Sequence, residues 1–441
     1  MLPVDLGEWV PEDDISRFIV EAVERVKLGR FHLNENGGGS KQYHPRMMLA
    51  LLIYCYVNGI FTSRKIEEAT YMNIGCRFVA ANQHPDHDTV AKFRRENKEA
   101  IEGCFLEVLL MAKEMGLLKV GTVSVDGTKI KANASRKKSL RYDRAKELVG
   151  KIRKEISELM AEAEESEGKE TEDGNKIPEE IARLDTLKAK LDAAVERLEK
   201  EAREKAEREQ KEYEEKVRRR EKSGRGGRPI KEPRDTPEDK KQSNLTDPDS
   251  SLMKKNSYSD YTQGYNCQAA VDADGTQLIL GQRVSGNGND SVQLTETVLS
   301  VSEEVGMPNT VLADSGYASG KEVGKMKQER GDTRLLISIG TDGHRRKHDF
   351  RPEGKKKRKQ KPREPWRAIM SVKMKLDEFK EEYRKRQQTV EPVFGIVKQV
   401  LGFRNFHLRG QEKVGIEWCL VSLSYNFKRL FNMLKCAQAA G

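Results

Sequence analysis

The sequence predicts an α/β chain: a sheet core, preceded by an all-helical N-terminal region and interrupted by a long helical hairpin. Three observations predict it. Apolar residues between Pro45 and Leu118 recur at helical spacing. Alternating, β-rich runs begin only at Thr122. Between Lys151 and Arg220, 40 of 70 residues are charged and Tyr213 is the only aromatic, a composition suited to an exposed helical excursion.

In the N-terminal region, Met47, Leu51, Tyr54 and Cys55 share one helical face. A second helix starts at Ser63, with Glu67 and Glu68 in its early turns. In Pro85-Asp86-His87-Asp88-Thr89, Asp88 reads as the N-cap of a helix carrying Lys92, Arg94 and Arg95. Short helices with one basic face suit a DNA-reading helix-turn-helix; an ordinary bundle with a solvated basic face fits equally. His84, His87 and Asp88 are accounted for by turn and capping roles, without a metal.

The β-rich part opens with Thr122 to Ile130, which carries Asp126 in its middle. After the hairpin come Tyr265–Val271 and Gln277–Val284, joined by Asp272-Ala273-Asp274-Gly275-Thr276. A helix over about 291–305, a strand over 310–313 ending at Asp314, a helix over 320–327 and a strand over 335–339 follow. The order β-β-β-α-β-α-β, with a final helix, is that of an RNase H-like domain. On such a sheet Asp126 and Asp314 converge, and Glu391 of the last helix completes a cluster. Singly, each acid has an ordinary reading: an Asp-Gly turn, a helix cap, a surface acid. Together they suit phosphodiester chemistry, in which carboxylates hold two Mg²⁺ about 3.5–4 Å apart.

The hairpin seam runs through Ala145, Val149, Ile152, Ile156, Leu159 and Ala163, and returns through Ile181, Leu184, Leu187, Leu191, Val195, Leu198 and Ala202. It reads as a self-packing coiled coil, with dimerisation a subsidiary role. Ser223 to Pro229 stops the helix and begins a basic linker. The predicted organisation is a helical DNA-binding domain at 1–118; core segments at 119–135 and 256–340; the hairpin and linker at 136–255; a basic insertion at 341–375; and C-terminal helices at 376–441.

Charge points to a polyanionic partner. The net charge is +10, and His344 to Arg363 holds eleven Arg and Lys against Asp349 and Glu353. This block includes Arg345, Arg346, Lys355, Lys356, Lys357, Arg358 and Lys359, and reads as an arm for nucleic acid. No apolar run reaches the ~20 residues that span a bilayer. Six scattered cysteines without a CxxC pair argue against a disulfide framework and fit a reducing cytoplasm.

These residues carry a resemblance. Val125-Asp126-Gly127-Thr128-Lys129-Ile130, Asn244 to Ser250, Ala313-Asp314-Ser315-Gly316-Tyr317 and Thr389-Val390-Glu391-Pro392-Val393-Phe394-Gly395 resemble motifs of bacterial insertion-sequence transposases. The likeness is to the IS1182 group of the IS4/IS5-like DDE class, and extends from about Tyr43 to Asn432. It implies an RNase H-like core whose triad, Asp126, Asp314 and Glu391, binds Mg²⁺ or Mn²⁺. It also implies an N-terminal domain that recognises terminal inverted repeats in double-stranded DNA. A homodimer holding both transposon ends follows, in the bacterial cytoplasm at the nucleoid. Tyr383, Arg386, Glu391 and Lys398 resemble the Tyr-Arg-Glu-Lys signature of the class, with one extra residue between Arg386 and Glu391; Lys398 would grip a phosphate near the cut. Pro392 predicts that Glu391 lies at a kink or a helix start. A non-catalytic DNA-binding descendant, a hydrolytic RNase H-like nuclease and a coiled-coil scaffold are the competing readings.

Overall fold

The computed structural model describes residues 5–33, 42–166, 177–223, 229–254, 259–339 and 364–440. The chain forms two compact units, Met1–Ala132 with Gly264–Gly441, and Asn133–Gln263. The basic block at 344–363, with Arg345, Arg346 and Lys355 to Lys359, lies outside the described residues.

The first unit begins with six helices: α1 (Ile15–Glu24), α2 (Pro45–Val57), α3 (Ser63–Met72), α4 (Ile74–Val79), α5 (His87–Glu96) and α6 (Lys98–Glu114). Pro45 opens α2, where its missing N–H costs nothing. Residues Met48 to Val57 are all buried, so α2 is a central helix rather than an amphipathic one. The cap of α5 is Asp86, whose carboxylate accepts from Asp88 N at 3.0 Å and Thr89 N at 2.9 Å. This corrects the assignment of that cap to Asp88, which sits in the first turn. Asp86 wins because its extended backbone aims the carboxylate at the free N–H groups of that turn. Strand β1 (Thr122–Lys131) follows α6.

The second unit holds β2 (Ser139–Arg141), α7 (Tyr142–Ser166), α8 (Ile177–Ser223), β3 (Gln242–Asn244) and β4 (Ser251–Met253). Helices α7 and α8 are antiparallel: Tyr142 and Lys146 contact Glu199, while Arg153 reaches Asp192. Their seam buries Ala145, Val149, Ile152, Ile156 and Leu191, with Ile181, Leu184 and Val195 packed alongside. Leu187, read as part of that seam, is exposed. Strand β2 pairs antiparallel with β3 where the hairpin begins and ends.

The chain returns through β5 (Thr262–Asp272), β6 (Ile279–Ser285), α9 (Leu294–Leu299), β7 (Thr310–Ala313), α10 (Gly320–Glu329), β8 (Arg334–Ile337), α11 (Pro365–Lys373), α12 (Asp377–Gly395) and α13 (Gln411–Ala440). Helix α9 is much shorter than its expected span, and α11 occupies residues read as the tail of a basic insertion. Within the first unit, the described strands of the sheet lie in the order β6-β5-β1-β7-β8. Strands β6, β5 and β1 run antiparallel, whereas β1, β7 and β8 run parallel. Both parallel connections pass through helices, as parallel strands require. Helix α13 packs on β6 and also on α2 and α6. The N-terminal helices and these strands fall in one compact unit.

Candidate active site: three carboxylates around Arg386

Asp126 sits in the middle of β1, opposite Ala269 of β5. On its other side, Val125 is level with Ala313, the last residue of β7. Asp314 is the next residue along, so parallel register sets the two aspartates at the same height on neighbouring strands. Asp314 also caps a short 3₁₀ turn, accepting from Gly316 N at 2.7 Å.

The third acid comes from α12, which packs on β1 and β7. Glu391 lies inside this helix, correcting the expectation of a kink or helix start. Pro392 removes the N–H that would reach the Gln388 carbonyl. That carbonyl instead accepts from Gln277 Nε2 at 2.7 Å, so the helix continues. Distortion is deferred to Ile396–Val400, a π-helical turn.

Arg386 brings the acids together. Its Nη2 lies 3.2 Å from Asp126 Oδ2 and 3.8 Å from Asp314 Oδ2, and its Nη1 lies 3.6 Å from Glu391 Oε1. The Arg386 side chain is 10% exposed, against 18% for Asp126, 40% for Asp314 and 58% for Glu391. A buried cation thus faces three carboxylates that open progressively to solvent. Burial pushes the Asp126 carboxyl up to about 6; Arg386 opposes the shift, while Asp314 and Asp290 add to it.

The other signature and basic residues singled out from the sequence have different surroundings. Tyr383 packs with Phe379 and Met374 beside Leu312 and Leu336, and its hydroxyl donates to the Ala313 carbonyl at 3.2 Å. It anchors α12 to β7 rather than facing open solvent. Lys398 reaches Thr128 Oγ1 and the Lys129 carbonyl, just past Asp126. Arg94 is buried, donating to Tyr56 Oη at 2.8 Å and the Phe61 carbonyl at 3.0 Å. This corrects its reading as a DNA contact: a helical face admits no more than every third or fourth residue, and the apolar side of α5 claims position 94. Lys92 and Arg95 are exposed. Asp86, Glu67 and Tyr71 occupy the His84–His87 corner, where His87 Nδ1 lies 2.7 Å from Glu67 Oε2 and His84 stacks on Tyr71.

Asp290 was not singled out from sequence. Its Oδ1 accepts from Asn266 Nδ2 at 2.7 Å and Gln268 Nε2 at 2.9 Å. In sequence it ends Gly286-Asn287-Gly288-Asn289-Asp290, which carries only a turn signal.

Three hard carboxylate donors converging on one cation are chemically suited to Mg²⁺ or Mn²⁺. Among the described residues, no three His, Cys, Asp or Glu side chains are already gathered as a metal-ligand set. No helix of the described residues is long and apolar enough to cross a membrane.

Two family models match: a transposase DDE domain over residues 234–427 and a transposase domain, DUF772, over residues 4–96. The first match includes Asp314 and Glu391, while Asp126 precedes it. No curated protein and no solved structure matches. Both matches are to transposase families. The chain belongs to the insertion-sequence DDE transposases, and the IS1182 resemblance is consistent with that family.

Proposed function

We propose that this chain binds the terminal inverted repeats of its element, cuts the DNA there and joins the freed 3′ ends to target DNA, with Asp126, Asp314 and Glu391 as the catalytic triad. The observation that carries this reading is the meeting of the three acids at Arg386, although they lie far apart in sequence. The strand order, with three antiparallel strands followed by two parallel ones, supports an RNase H-like core.

In this reading Asp126, Asp314 and Glu391 hold Mg²⁺ or Mn²⁺, two ions in all. The chemistry such ions supply is activation of the attacking oxygen and stabilisation of the leaving one. The rigid strands fix two of the three donors, leaving the helix-borne Glu391 the most solvent-accessible. Arg386 offsets the mutual repulsion of the acids, which would otherwise destabilise their approach. Lys398 and the Tyr383 contact hold the end of α12 against β1 and β7. The exposed Lys92 and Arg95, with Arg345, Arg346 and Lys355 to Lys359, supply cations for DNA phosphates. Two copies of the chain act together, one per end.

The test is Mg²⁺-dependent nicking and strand transfer on a duplex carrying the inverted repeat that flanks the gene. Wild type should nick at the repeat end and join, whereas Asp314→Ala should do neither. Cutting without end preference or joining would indicate a hydrolytic nuclease. Binding without cutting in both proteins would indicate a DNA-binding descendant.

A further inference from the structure

We propose that Asp290 is a positioning residue of this active site, holding the segments that carry Asp126 and Asp314 in register through a relay of side-chain amides. The inference rests on the triad reading above. Gln268 stands opposite Gly127 on β5, and Asn266 stands opposite Lys129. Both amides donate to the one Oδ1 atom of Asp290, at 2.9 Å and 2.7 Å. Gln268 Nε2 also donates to Asn266 Oδ1 at 3.0 Å, and Asn266 Nδ2 to the Asn287 carbonyl at 3.2 Å. At its other end, Gln268 Oε1 accepts from the hydroxyl of Tyr317, which is fully buried and only three residues beyond Asp314. The relay therefore ties together the turn after Asp314, the turn containing Asp290 and strand β5, whose ladder to β1 at Gly127 and Lys129 carries the hold to Asp126. Asp290 Oδ1 is the acceptor that both amides share, so an oxygen at that point is what holds the set together.

The glycines beside the two catalytic aspartates fit this relay. A Cβ on Gly127 would lie 2.3 Å from Gln268 Nε2 and 2.7 Å from Asp290 Oδ1. A Cβ on Gly316 would lie 3.6 Å from Asp290 Cβ. Asp290 thus occupies the space left by the missing side chain after Asp126, and borders the one after Asp314. Neither glycine has a left-handed backbone, so the close approach of the relay is what glycine serves at position 127. Residues that orient metal ligands from behind typically change affinity or activity by about 10–100-fold when removed.

The experiment measures Mn²⁺ affinity of the full-length protein by electron paramagnetic resonance, at one pH, with folding followed by circular dichroism. Asp290→Ala should weaken binding by about 10–100-fold. Asp290→Asn should stay within about threefold of wild type, since its amide oxygen still accepts from Gln268 and Asn266. Gly127→Ala should lower affinity as Asp290→Ala does, by driving Gln268 and Asp290 apart. Unchanged affinity in Asp290→Ala would overturn the proposal. An Asp290→Asn loss as deep as that of alanine would also overturn it, because the charge itself would then be ligating. If Asp290→Ala does not fold, Asp290→Asn and Gly127→Ala decide by the same criteria. Asp314→Ala separates this from the underlying reading. Unchanged binding there would remove the triad reading, and this proposal with it; weakened binding there with unchanged Asp290→Ala would remove this proposal alone.

Discussion

The hairpin of α7 and α8 and the acid cluster around Arg386 are assembled in opposite ways. The hairpin is held by apolar residues three or four apart on two helices, and its core is a short list: Ala145, Val149, Ile152, Ile156 and Leu191. The acid cluster joins β1, the end of β7 and α12, with Arg386 and Asp126 260 residues apart along the chain. One is a local, periodic structure that packs on itself. The other exists only once the whole sheet has formed. Damage to the hairpin should therefore appear as lost stability of one unit, and damage to the cluster as lost chemistry.

The largest effect should come from the cluster. Asp314→Ala should lower Mg²⁺-dependent nicking about a thousandfold, near 4 kcal/mol of transition-state stabilisation, in a single-turnover assay. Its melting curve should hardly change, since the side chain is 40% exposed. A large fall in melting temperature would blur the contrast with the hairpin.

Leu191→Ala should do the reverse. Truncating this buried seam residue should cost about 2–5 kcal/mol, read as early hydrogen exchange confined to α7 and α8. Mn²⁺ affinity should stay at the wild-type level; a matching loss of affinity would break the separation between the two regions.

The cluster also predicts a pH dependence that the hairpin lacks. Asp126 has a folded pKa of about 6, raised by burial above its ordinary 3.8. The folded state thus favours the protonated acid. Its stabilising contribution is complete below about pH 4 and is lost as pH rises through 6, by at most about 3 kcal/mol. Metal-free wild type should lose denaturant stability over that interval, and Asp126→Asn should not. Equal slopes in the two proteins would contradict the buried placement of Asp126.

Two basic positions on α5 sharpen the comparison on a smaller scale. Arg94→Met should cost about 1–3 kcal/mol by leaving Tyr56 Oη and the Phe61 carbonyl without their donor, while the salt dependence of DNA binding stays unchanged. Lys92→Ala with Arg95→Ala should leave stability intact and reduce the log–log salt slope by about two.

The smallest effect is an expected absence. Lys131 pairs directly with Gly264, so the chain leaves and re-enters the first unit at neighbouring strand positions. Replacing residues 133–263 with a short glycine-containing turn should leave the first unit folded, with Mn²⁺ affinity within about threefold of the full chain. An unfolded product would show that the sheet depends on its insertion.

Much of the fold was legible because it is written locally. Alternation placed β1, a short apolar run placed β7, and apolar spacing placed α7 and α8; Pro45 stands where α2 begins. Errors fell where tertiary contacts decide. Pro392 spoke against a continuous helix, yet Gln277 takes over the carbonyl it orphans. Arg94 looked like its neighbours Lys92 and Arg95, but the packing of α5 turns it inward. Asp290 looked like one more turn residue because its partners, Asn266 and Gln268, lie on a strand more than twenty residues away.

The sequence by itself determined which residues could serve: three acids in separate motifs, a self-packing hairpin and an excess of positive charge. The tertiary structure decided which of them meet. Parallel register levels Asp126 with Asp314, the packing of α12 delivers Arg386 and Glu391, and the sheet interior raises the proton affinity of Asp126. The physical reason is range. Helical and strand periodicity act over a few residues and leave a trace in any short window. Strand register, burial and electrostatic coupling join residues hundreds of positions apart, and no short window records them.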